Sequence, residues 1–248
     1  MSTHGALLVF GSGPGIGRNV AALFAERGFS KVVLLSRNTD RLKEDVDFVK
    51  SKASSAEVIT VKIDLASPDA VRKALDEVDD RLGNDPVEAV LYNAARVGKS
   101  EMLRFPAEDL QQDLQIAVIS LYIVAQWAVP KLLDTAKSSS YHVPAFLVTS
   151  GGLYKNPFPN LFSLSTGKAG QYNLVHSMHK EFQPQGVHCA LIVVEGFVKD
   201  DAKVTTARHI AEKTWELYEQ PKEKGDLDVH ITDPDYAKAM GIRNAGGS

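Results

Sequence analysis

A chain of 248 residues is long enough to bury a substantial core, and one α/β domain of this size, spanning residues 1–248, is the expected organisation. Its 28 basic and 31 acidic side chains leave a formal charge of -3, which gives no electrostatic case for nucleic acid or an anionic membrane surface. The single cysteine, Cys189, excludes an intrachain disulfide, and the first residues show no basic segment followed by an apolar one, so a cytoplasmic, reducing context is predicted. The histidines are scattered without metal-site spacing, so no metal is expected.

Ala6 to Phe10 is an apolar run of buried-strand length that feeds into Gly11-Ser12-Gly13-Pro14-Gly15-Ile16-Gly17, after which Ile16 to Arg27 has helical spacing. Glycines there let the chain turn tightly and bring backbone amides close to a pyrophosphate. Further strands are expected at Lys31 to Leu35, Glu57 to Ile63, Val87 to Tyr92, Ala145 to Thr149 and Val187 to Val194, with a short one around Asp226 to Ile231. Helical periodicity covers Thr39 to Lys52, Pro68 to Arg81, Ala107 to Ala136 and Ser163 to Phe182, and Ser67-Pro68 is a good helix start. Within the long helix the apolar stretch Ile116 to Leu133 is broken by Gln126 and Lys131, which argues against a membrane span. Lys137 to Ser140 reads as a loop, Pro157 and Pro159 rule out a helix after Gly151-Gly152, and the charged segment 200–220 is a candidate substrate lid. Pro234 to Met240 reads as a final helical turn or two, and the tail from Gly241 as frayed.

Such alternation predicts a mainly parallel, doubly wound sheet covered by helices on both faces, with its ligand beyond the carboxyl ends of the strands. Arg37 stands 20 residues beyond Gly17, where an acid would bind the ribose hydroxyls of an unphosphorylated cofactor. Ser36-Arg37-Asn38 offers donors instead, which favours NADP(H) over NAD(H). Asp64 and Leu65 are placed to hold the adenine, and Asn93-Ala94-Ala95 offers a floor of small residues beneath the cofactor.

Together these residues resemble the classical short-chain dehydrogenase/reductase family, through about Val198. Gly11, Gly15 and Gly17 match its glycine motif, Asp64 its adenine-contacting acid, Tyr92-Asn93-Ala94-Ala95 its Asn-Asn-Ala-Gly segment, and Lys168-Ala169 the end of its tyrosine-lysine motif. The resemblance implies a three-layer Rossmann-type fold with a seven-stranded sheet, cofactor contacts extending to Gly196 and Val198, and a homodimer or homotetramer. It also implies a tyrosine that protonates the substrate oxygen, a serine that orients it, a ribose-binding lysine and an asparagine relay. Carried over by position, these become Leu164, Gly151, Lys168 and Ala117, so only the lysine is kept. Glu195-Gly196 replaces the family's Pro-Gly turn, and Pro14 and Phe10 also depart from its pattern.

Leucine, glycine and alanine supply neither a proton nor an oxyanion donor, so ordinary carbonyl reduction lacks its acid. Tyr154, Ser150 and Glu195 are the candidate substitutes beside Lys168, while Tyr172 and His176 read as helix packing or a subunit contact. Three functions stay open: an unusual NADP(H)-dependent oxidoreductase of a small or medium organic intermediate, a non-redox enzyme on the same scaffold, and a catalytically silent binding protein.

Overall fold

The uninterrupted apolar runs are strands covered on both faces, and the computed structural model, which describes residues 4–138, 143–222 and 224–239, shows what covers them. In chain order the elements are β1 (His4–Phe10), α1 (Ile16–Glu26), β2 (Phe29–Ser36), α2 (Thr39–Lys52), β3 (Glu57–Lys62), α3 (Pro68–Leu82), β4 (Val87–Tyr92), α4 (Ala107–Leu114), α5 (Ser120–Ser138), β5 (Ala145–Gly151), α6 (Phe162–Phe182), β6 (His188–Glu195), α7 (Ala207–Tyr218), β7 (Asp228–Thr232) and α8 (Pro234–Ala239). The seven strands pair in the order β3-β2-β1-β4-β5-β6-β7, every pairing parallel. Sequence order reverses between β1 and β4, which opens a crevice at their carboxyl ends.

Alternate residues of β1 serve opposite layers. Ala6, Leu8 and Phe10 pack with α3, α5 and α6, whereas Leu7 and Val9 pack with α1, α2 and α7. The resulting three-layer Rossmann-type architecture agrees with the expected fold class. Local capping sets the helix starts: Ser67 Oγ accepts from the Ala70 amide at 3.3 Å behind Pro68, and Asn38 Oδ1 accepts from the amides of Asp40 and Arg41 at 3.1 and 3.0 Å.

Two expectations need correction. The long helix from Ala107 is not regular, because a π-helical turn at Gln115–Ile119 separates α4 from α5. There the Ser120 amide reaches back to the Gln115 carbonyl, and the buried Tyr92 hydroxyl donates to the Ile116 carbonyl at 2.5 Å, taking that acceptor out of the regular ladder. By length and composition Ala107–Ser138 would cross a membrane, yet half of its most apolar window is buried inside the fold. Ile116 and Ile123 cover the sheet, while Ile119 faces outward. The helix also extends past Lys137 to Ser138; the rest of the expected loop, Ser139 and Ser140, lies outside the described residues, as do Met240 and the tail from Gly241.

The second correction concerns segment 200–220. Most of it is α7, whose Ile210, Ala211, Trp215 and Leu217 are buried against α1, so that part is a core helix and not a lid. Trp215 meets Phe24 edge-on at 4.9 Å and Tyr218 at 5.2 Å. Trp215→Ala should therefore lower the unfolding free energy by about 3–5 kcal/mol, the ordinary cost of emptying a core aromatic site, in urea denaturation; a mobile lid would show almost no change.

Candidate active site

The crevice is set by a close backbone approach. Gly11, at φ 90°, lies so near β4 that a Cβ on it would stand 2.8 Å from the Ala94 nitrogen, and one on Gly17 would stand 2.8 Å from the Gly11 carbonyl oxygen. Glycine is required at both positions, at the first by dihedral angle and at the second by contact. Asn93 then ties three strand ends together: its Nδ2 donates to the Gly11 carbonyl at 3.0 Å and its Oδ1 accepts from Thr149 Oγ1 at 2.8 Å. Helix α1 begins at Ile16 with no side-chain cap, and around Gly15 a Cβ would meet nothing within 4 Å, so there is room for a phosphate over the helix start.

Two cavities meet at Asn93 and Ala95. The first, about 350 Å³, is lined by Gly11, Ser12, Ser36, Arg37, Asp64, Leu65 and Ala94, as the sequence suggested, and also by Arg41 and Arg96. The second, about 400 Å³, is mainly apolar: Ile16, Val97, Leu164, Val194, Phe197 and Val198 form its wall, with Ser150, Gly196, Lys168 and Tyr236 among them. Gly196, at φ 155°, lies where a Cβ would be 2.8 Å from Asp233 Cβ, so the exit from β6 can hug the end of β7 only without a side chain.

Lys168 is buried in α6 and donates to the Thr149 carbonyl at 2.8 Å and to Gln171 Oε1 at 2.9 Å. Loss of hydration pulls its pKa down to about 8. An ammonium has three protons, and these two partners leave one for the cavity. The Ser150 hydroxyl and the Tyr236 hydroxyl are buried without a hydrogen-bond partner, both on this cavity.

Several expected site residues have other work. Ser12 donates its hydroxyl to Asp45 Oδ2 at 2.7 Å and its amide to the Leu35 carbonyl, so it shapes the loop and has no donor left for a ligand. Asn38 turns its Oδ1 to capping α2, and the residue lines neither cavity. Tyr154 lies outside the second cavity, its ring stacked on Tyr172 at 4.0 Å. Glu195 also points away from that cavity, because alternation along β6 turns Val194 inward; its Oε2 accepts from Thr232 Oγ1 at 2.5 Å and faces His230 Nδ1 at 3.4 Å.

Three features were not anticipated. Arg41, in the first turn of α2, stands four residues after Arg37, which precedes the Asn38 cap. A half-buried cluster occupies the space beside Ala117: Arg96 clamps Asp113 through Nε at 2.5 Å and Nη2 at 2.7 Å, and Ser163 Oγ donates to the same carboxylate at 2.5 Å. Ala117, in the π-helical turn, packs instead against Gly167, where a Cβ would come within 3.0 Å of its own. Tyr236, on the short helix after β7, had no signal in the sequence that pointed to the site.

Sheet order, glycine loop and crevice define a doubly wound α/β protein of Rossmann type. Residues 6–208 match the family model described as short chain dehydrogenase, and the chain belongs to that family. It is 26% identical over 227 residues to a short chain dehydrogenase of Pseudocercospora fijiensis, covering 88% of this chain and 69% of the relative. It is 24% identical to a 3-oxoacyl-[acyl-carrier-protein] reductase of Aquifex aeolicus, covering 83% and 79%. Among solved structures, L-sorbose reductase from Gluconobacter frateurii, complexed with NADPH and L-sorbose, superposes with a TM-score of 0.81 at 17% identity, covering 93% of this chain and 96% of that one.

The depressed Lys168 pKa gives a stability test. Below about pH 8 both folded and unfolded chains carry the charge, and burying it is unfavourable; between pH 8 and 10.5 only the unfolded chain keeps the proton, so folding becomes more favourable as pH rises. Relative to Lys168→Met, the native protein should gain up to about 3 kcal/mol between pH 7 and 10 in denaturation experiments, and an unchanged difference would contradict a buried cation.

Proposed function

We propose that this chain is an NADP(H)-dependent oxidoreductase of atypical design that acts on a small or medium-sized organic molecule without the tyrosine acid usual in its family. The observation that carries this reading is the trough of two joined cavities, with guanidinium groups lining one end and an apolar chamber containing Lys168 at the other. Arg37 and Arg41 suit a 2′-phosphate by charge and by paired hydrogen bonds, and no acid occupies the position of Arg37. The NADPH held by the similarly folded L-sorbose reductase supports the choice of cofactor.

In this reading the amides at the start of α1 hold the pyrophosphate, Asp64 and Leu65 frame the adenine, and Lys168 gives its free proton to the nicotinamide ribose. Bound there, the reduced cofactor supplies a hydride. Ser150 offers its unpartnered hydroxyl to a substrate oxygen, and Val97, Phe197 and Val198 form an exposed apolar mouth that favours apolar substrates. Leu164 contributes wall and no proton. An open concave chamber of this kind favours an enzyme over a silent binding protein, in which side chains would fill that space. The half-exposed Ile119 and Tyr122 on the outer side of the π turn and α5 support pairing of copies through that face.

Fluorescence titration tests the cofactor assignment. Arg37→Ala combined with Arg41→Ala should weaken NADPH binding by about 10- to 100-fold, the worth of one or two charge-assisted hydrogen bonds, and leave NADH affinity within about twofold. Absence of NADPH binding by the native protein at millimolar concentration defeats the proposal.

A further inference from the structure

The second cavity contains five polar side chains, and three of them are already engaged. Asn93 holds the Gly11 carbonyl and Thr149, Thr149 donates to Asn93, and Lys168 holds a carbonyl and Gln171. Ser150 and Tyr236 remain, both with buried hydroxyls that have no partner. A buried polar group left unpaired is unfavourable unless something else satisfies it, and both residues line the second cavity. Tyr236 reaches this cavity because β7 ends at Thr232 and the chain turns at once into α8. Its hydroxyl lies 2.9 Å from the point that a Cβ on Gly152 would occupy, and Glu195 Oε1 lies 2.7 Å from the same point, so only glycine there lets the two oxygens converge.

We propose that Tyr236 is the proton donor of this site, a phenol supplied from the carboxyl-terminal side of the sheet to the cavity whose wall includes Leu164. The proposal rests on the oxidoreductase reading above. As the substrate's carbonyl carbon gains a hydride from the reduced nicotinamide, the carbonyl π pair moves to oxygen, and that oxygen takes the O–H proton of Tyr236. The phenolate then recovers a proton from solvent. Overall, a carbonyl, a reduced cofactor and one proton become an alcohol and an oxidised cofactor. Burial, reinforced by the nearby Glu195 charge, raises the phenol's pKa, so Tyr236 keeps its proton at neutral pH. Ser150 is the second donor to the same oxygen.

Infrared difference spectroscopy tests the assignment without turnover. The probe is acetophenone added to the protein loaded with NADP⁺, with the carbonyl stretch as readout. In the native protein the band should shift to lower frequency through hydrogen bonding, and Tyr236→Phe should lose most of that shift while binding NADPH as tightly as native. Removing a hydroxyl that has no partner leaves the ring packing and the fold unchanged. An unshifted band in the native protein, a shift that survives Tyr236→Phe, or one that vanishes only in Ser150→Ala overturns the assignment and leaves the cofactor reading standing. Failure of the native protein to bind NADPH in the parallel fluorescence titration defeats both.

Discussion

The approach of Gly11 to Ala94, fixed by Asn93, is the constraint from which the site follows. Neighbouring strands that diverge at their carboxyl ends would leave a shallow, shapeless gap. Here the Asn93 side chain bonds backbone on one side and Thr149 on the other, so the ends of β1, β4 and β5 form one rigid floor. Thr149 continues the connection, because its carbonyl accepts from Lys168. One short network thus couples the glycine loop to the lysine in the second cavity.

The two ends of the trough use different physics. At the first cavity, Arg37, Arg41 and Arg96 line the space, and what they offer is charge and fork geometry. At the second, an apolar wall lowers the local dielectric, which strengthens every remaining dipole and makes Lys168 a reluctant cation. The Arg96, Asp113 and Ser163 cluster lies behind that wall. It fills with paired charge the volume beside Ala117 and braces the loop after β4 against α4 and α6.

Much of the scaffold was legible along the chain. Strands covered on both faces leave continuous apolar runs, helices leave a 3.6-residue rhythm, and α2 and β4 have the expected boundaries because Asn38 and the apolar run at Val87 mark them locally. The π turn was not legible, and it carries a contact distant in the chain, the bond from Tyr92, 24 residues before Ile116, to that residue's carbonyl. Segment 200–220 misled for the same kind of reason: its charges are those of one helical face, and only docking on α1 reveals the other as core.

The sequence by itself determined the fold class, the glycine loop, the arginine after β2 and the leucine at position 164, because each depends on residue type at short range. Only the tertiary structure decided which side chains are free to act. Ser12, Asn38, Tyr154 and Glu195 carry suitable groups, yet neighbours distant in the chain or local backbone amides claim or redirect them. Tyr236 reaches the cavity from 72 residues beyond Leu164. Hydrogen-bonding capacity is written in a residue's chemistry, but whether it is already spent depends on contacts that exist only once the chain is folded.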